Sequence, residues 1–232
     1  MNTENLMNLT LTHGSHRTPE EGMCLMEAVA FMGGEEHSDQ PVCACPVIAA
    51  YARNLNDQMG EGPTGDALRA KHLLPIAQKL IGTRSTPEVE QKRMYFFADR
   101  AVRLFAPLAL EAAGLTEEAE TLRSLPEIVD EQTAEAATDA ASVAWAAAAA
   151  ASASAAYAAA WAAARAAAAA SAASAAWAAD ASAAWAADAA DAAAYVAARA
   201  ADAADRTAAG AAWAQAAQVL SEACEISLEG GE

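Results

Sequence analysis

Residues 140–176 read AASVAWAAAAAASASAAYAAAWAAARAAAAASAASAA, the middle of a tract from Ala134 to Ala217 that is roughly two-thirds alanine. Alanine is the strongest helix former, and from Glu127 to Ala209 neither glycine nor proline interrupts it. The tract is therefore helical. No run elsewhere alternates convincingly with period two, so the chain is read as all-α. Alanine carries no reactive group and buries little apolar area, so the tract builds the molecule without doing its chemistry.

An octad repeats inside the tract, Ala175 to Ser182 and then Ala183 to Ala190. On a helical wheel Asp180, Asp188, Asp191, Asp202 and Asp205 share one arc, which Trp177, Tyr195, Arg199, Arg206 and Trp213 share or border. The other half is nearly all alanine. Upstream, Tyr157, Trp161 and Arg165 would point into that bare face if one straight helix continued. Either the tract turns near Ser171 to Ser174 or different faces are used along its length, and two or more helices packed through small-residue seams are expected. All five tryptophans (Trp145, Trp161, Trp177, Trp185 and Trp213) lie in the tract, as packing anchors or as an interface row.

Before residue 134 the composition is mixed. A compact helical domain is expected over residues 1–130, followed by an alanine-rich packing or oligomerisation element over 131–226 and a short tail over 227–232. The formal charge is −17, unevenly spread: residues 1–66 carry −8, 67–103 carry +5, 104–139 carry −8 and 140–232 carry −6. A chain this acidic does not offer duplex nucleic acid a general basic surface. Residues 140–164 lack charge, yet they contain no Leu, Ile or Phe and no basic flank, so no membrane span is expected. No secretory leader is evident, and the four cysteines form no obvious disulfide framework, which fits reduced thiols in the cytoplasm.

Local signals place the elements of the N-terminal part. Leu9 to Thr12 allows one short extended segment. Thr18-Pro19-Glu20-Glu21 has the form of a helix start, ending at Gly33-Gly34. Pro46 opens a second helix with Val47, Ile48, Tyr51, Ala52 and Leu55 as its buried stripe. Asp66 is read as the cap of a third helix, Pro87 as the first turn of a fourth that kinks at Pro107, and Thr116 as the cap of a fifth.

Three clusters carry possible chemistry. Cys24, His37, Cys43 and Cys45 supply the thiolate and imidazole ligands that zinc prefers, although their spacing matches no standard pattern, and buried structural cysteines are the plainer reading. His13, Ser15 and His16 could line a pocket or simply form a wet loop. Thr83, Arg84 and Ser85, with Lys92 and Arg93, stand at a loop-to-helix junction suited to an anion, or else neutralise the acidic segments around them.

His13-Gly14-Ser15-His16, Cys24-Leu25-Met26-Glu27-Ala28, Glu36-His37-Ser38-Asp39, Cys43-Ala44-Cys45-Pro46 and Arg53-Asn54-Leu55-Asn56-Asp57, with Leu80 to Thr86, resemble a group of uncharacterised bacterial and bacteriophage proteins. That group pairs a Cys/His-containing helical domain with an alanine-rich tail. The resemblance implies a bacterial or phage context and no particular activity. The expectation is a non-enzymatic binding or accessory protein that holds a small anionic ligand or a host protein through its N-terminal loops. It would self-associate through the alanine-rich helices. A metal-dependent hydrolase using the Cys/His cluster, with zinc as the possible metal, and a purely structural alanine-coil oligomerisation scaffold stay open as alternatives.

Overall fold

The computed structural model describes residues 9–176, 195–201 and 206–227. Among these the chain is all-α, with helices α1 (Leu25–Gly33), α2 (Pro46–Gln58), α3 (Gly62–His72), α4 (Pro87–Asp99), α5 (Ala106–Ala112), α6 (Thr116–Arg123), α7 (Glu131–Ala150), α8 (Ser154–Ala176) and α9 (Arg206–Glu225). A 3-10 segment, Leu74–Leu80, follows α3, and residues 195–201 are also helical. The extended segment at Leu11 makes one parallel bridge to Met23.

The first helix begins later than Thr18-Pro19 suggests. Glu21 N–H donates to the Thr18 carbonyl and Gly22 N–H to that of Pro19, which closes a turn and no more. Gly22 then takes φ +135°, a conformation no helix contains, and hands the chain to Met23 beside Leu11. Cys24 is the N-cap instead. Its sulfur accepts from the Glu27 N–H, and the Glu27 carboxylate accepts from the Cys24 N–H at 2.7 Å, a capping box with a thiol in the hydroxyl position.

Pro46 does open α2, and the whole expected stripe is buried. Tyr51 stacks on Phe97 of α4, with ring centroids 4.3 Å apart. The third helix starts at Gly62, ahead of Asp66, whose carboxylate instead pairs with the fully buried Arg69. Leu115 rather than Thr116 is the N-cap of α6. Near Pro107 the helix widens. A π-helical turn, Arg100–Phe105, joins α4 to α5 and absorbs the hydrogen bond that proline cannot make. Buried Asp99 at its start accepts from Arg103 at 2.8 Å and from the Ile128 N–H at 3.1 Å.

The alanine tract turns twenty residues earlier than expected. α8 continues through Ser171 and Ser174, and the break falls at residues 151–153, where Ser152 takes φ +54° and the Ala153 N–H returns to the Ala148 carbonyl at 3.0 Å. Alanines 134, 137, 141, 144 and 148 form the buried seam of α7, spaced three and four apart, and pack on α8. Against small side chains the two backbones approach closely, so dispersion and tight packing replace the area a leucine seam would bury. α8 also packs on α4, the π turn and α5.

Tyr157, Trp161 and Arg165 point outward, the two rings being 40% and 39% exposed. Trp145 meets Tyr157 edge-on at 5.7 Å, and Trp213 is buried. The aspartate arc and Trp177 and Trp185 lie outside the described residues. No described helix is long and apolar enough to cross a membrane.

Packing runs across the compositional boundary near residue 130. α9 lies on α2, α3, the 3-10 segment and α4, and one cluster of buried residues extends from Leu11 to Ala223.

Candidate ligand-binding site

The polar residues of the N-terminal part converge on α1 and α2. At the centre is Glu27, its side chain 1% exposed. It accepts from the His16 backbone N–H at 2.5 Å, from His16 Nδ1 at 2.8 Å and from the Cys24 N–H, while His37 Nε2 stands 3.6 Å away and donates to the His16 carbonyl. Burial pushes the Glu27 carboxyl up, but the His16 and Cys24 amides and the His16 ring outweigh it and hold the group below its ordinary range. His16 Nε2 is 3.1 Å from Thr12 Oγ1, so both ring nitrogens are engaged. His16 fixes the loop and has no nitrogen free to serve as a base.

That loop is tied to α2 as well. Gly14 N–H donates to Asp57 at 2.9 Å, and Asn56 bonds the Thr12 carbonyl at 3.0 Å and the Leu25 N–H at 3.2 Å. Between the loop, the start of α1 and one face of α2 lies a polar cleft of about 270 Å³, lined by Gly14, Ser15, Cys24, Asp39, Arg53, Asn54 and Asp57. Asn54 Oδ1 is buried there with no hydrogen-bond partner among the described residues. Burial pushes the Cys24 thiol up to about 12, so it stays protonated at neutral pH and is a poor nucleophile.

Arg53 is shared by a second cleft. Its guanidinium donates to the Asp39 carbonyl at 3.0 Å, and Arg53 also lines a groove of about 220 Å³ with Gln40, Pro41, Val42, Ala44, Pro46, Ala49 and Arg84. Arg84 is 57% exposed at its side chain, with Glu90 at 3.7 Å, and its backbone N–H is anchored on the Cys43 carbonyl. Arg53 and Arg84, from distant parts of the chain, thus line one groove together with Gln40 and several apolar residues.

The other residues singled out from the sequence have different positions. Thr83 is buried: its hydroxyl donates to the Leu80 carbonyl and accepts from the Cys45 N–H. Arg93 is buried and donates to the carbonyls of Thr83, Ala223 and Ile226. Together they staple the end of α9 to the start of α2 rather than standing free for a ligand. Ser85 is exposed, and Lys92 faces a groove it shares with Glu222 and Glu225. His13 lies at the surface, 3.9 Å from Glu61.

Cys24, His37, Cys43 and Cys45 are not assembled into a ligand set. Among the described residues no group of three or more His, Cys, Asp or Glu is placed to hold a metal ion. The reason is local: Cys24 caps α1, Cys45 precedes α2 in the core, Cys43 sits beside Glu35 and Gly33, and His37 belongs to Glu27. All four cysteines are free thiols.

Sequence reasoning missed Arg53 as the partner of Arg84, and Glu27 as the hub. The signal for Glu27 was its position three residues after a capping cysteine; for Arg53 there was none without the tertiary fold. Comparison with protein-family models, curated proteins and solved structures gives no match.

Proposed function

We propose that the protein is a non-enzymatic binding protein for a small anionic ligand, held in the groove between Arg53 and Arg84. The observation that carries this is that Arg53 and Arg84, distant in sequence, line one groove in a chain of net charge −17. Arginine presents several N–H donors in a rigid fork that fits a carboxylate or phosphate, and Arg53 has given only one of its donors to Asp39. Pro41, Val42, Pro46 and Ala49 add apolar surface beside those donors. Binding is the chemistry that two arginines beside apolar side chains support. Its volume lies just below the range of about 300–1,000 Å³ typical of ligand pockets, which favours a small molecule.

Calorimetric titration with acetate, inorganic phosphate, benzoate and 4-methylpentanoate tests the reading. Binding of at least one of these anions, weakened about tenfold or more in Arg84→Ala, is the expected result. Absence of heat for all of them at millimolar concentration would overturn it.

A further inference from the structure

Arg53 is the wall common to two clefts of opposite character, and this sets the kind of ligand both can serve at once. On one side the lining carries Asp39 and Asp57, with Arg53 as the only basic residue. On the other it carries Arg84 and the apolar side chains of Pro41, Val42 and Ala49. Asp57 has committed one oxygen, Oδ1, to the Gly14 N–H and to Asn56 Nδ2. For Asp39 the bond to Arg53 uses the backbone carbonyl, not the carboxylate. Among the described residues, two carboxylates beside one guanidinium leave the side chains of the first cleft richer in acceptors than in donors.

We infer that the ligand is a free α-amino acid with an apolar side chain. Its carboxylate lies on Arg53, its ammonium toward Asp39 and Asp57, and its side chain against Pro41, Val42 and Ala49. A carboxylate and an ammonium borne by one carbon match a site whose cation stands between an acidic cleft and an apolar one. A simple anion would bring no donor to the Asp39 side; a simple amine would bring no acceptor to Arg53, whose described hydrogen bond goes to the Asp39 carbonyl. The inference rests on the anion-binding reading above and adds the ammonium and the side chain to it.

Calorimetry on the full chain separates the two. L-leucine is compared with 4-methylpentanoate, which lacks the ammonium, with 3-methylbutylamine, which lacks the carboxylate, and with glycine, which lacks the side chain. Leucine is expected to bind about tenfold or more tighter than each of the others, since a charge-assisted hydrogen bond is lost in two cases and apolar contact in the third. In Asp39→Asn the advantage of leucine over 4-methylpentanoate shrinks while 4-methylpentanoate itself binds as before. Equal affinity for leucine and 4-methylpentanoate in the wild type would overturn the amino-acid inference and leave anion binding standing. Failure of every carboxylate to bind would overturn both.

Discussion

His16 Nδ1 lies 2.8 Å from Oε2 of Glu27, in a carboxylate whose side chain is 1% exposed. Through this pair the loop that forms one wall of the polar cleft is anchored on the first turn of α1. Glu27 also completes the capping box, so one side chain joins helix start, loop and cleft.

Replacing Glu27 by Gln therefore removes the charge from several hydrogen bonds together. The variant is expected to lose roughly 2 kcal/mol at neutral pH, measured by urea unfolding. Its pH dependence should also change. The folded carboxyl titrates below the unfolded one, so its contribution is complete above the unfolded value of about 4.3 and is lost as pH falls through the folded value. Wild-type stability should fall more steeply than that of Glu27→Gln below about pH 4.5.

Arg93 holds the other end of the molecule. It is 4% exposed and donates to carbonyls on the Thr83 loop and at the end of α9. Arg93→Met leaves those carbonyls unpaired, at a cost of roughly 2–4 kcal/mol in thermal or denaturant unfolding. Limited proteolysis of the variant should cut first near residues 221–227, because the staple is lost before the core is.

How far the sequence revealed this arrangement depended on the range of each interaction. Pro46 and Pro87 open helices because the rule involved spans a few residues, and the stripe from Val47 to Leu55 is buried because periodicity alone assigns it. Thr18-Pro19 misled because Gly22, three residues after Pro19, takes a conformation that the local capping pattern does not encode. The turn at Ser152 has no breaker at all; it is set by where the alanine seam of α7 must fold back on α8. Arg84 was recognisable as an anion-suited residue, but Arg53 joins it only through the packing of the loop before α2, which no spacing reports. Thr83 and Arg93 had the right chemistry for an anion and are consumed by carbonyl and amide groups of the chain itself.

The alanine seam gives a sharp contrast between two equal substitutions. Ala141 is fully buried on the α7 face against α8, whereas Ala168 is exposed. Ala141→Leu must force the helices apart and should cost about 1–3 kcal/mol. Ala168→Leu should stay within about 0.5 kcal/mol of wild type. Thermal unfolding of both variants reads the difference directly.

Thiol chemistry offers a check on the cleft. Burial raises the Cys24 thiol to about 12 and the Cys224 thiol to about 11. Neither should react with an aromatic disulfide reagent at pH 8 in the native protein, while all four cysteines react after unfolding. Peptide mapping after short labelling identifies which thiols were modified.

In the proposed site Arg53 and Arg84 act together on one anion. Titrating 4-methylpentanoate into nitrogen-15-labelled protein, and following the arginine Nε–H signals, tests it most directly. The Arg53 and Arg84 signals are expected to move together along one binding curve while those of the internally bonded Arg69 and Arg93 stay in place. If the Arg53 and Arg84 signals stay still throughout the titration, the claim is wrong.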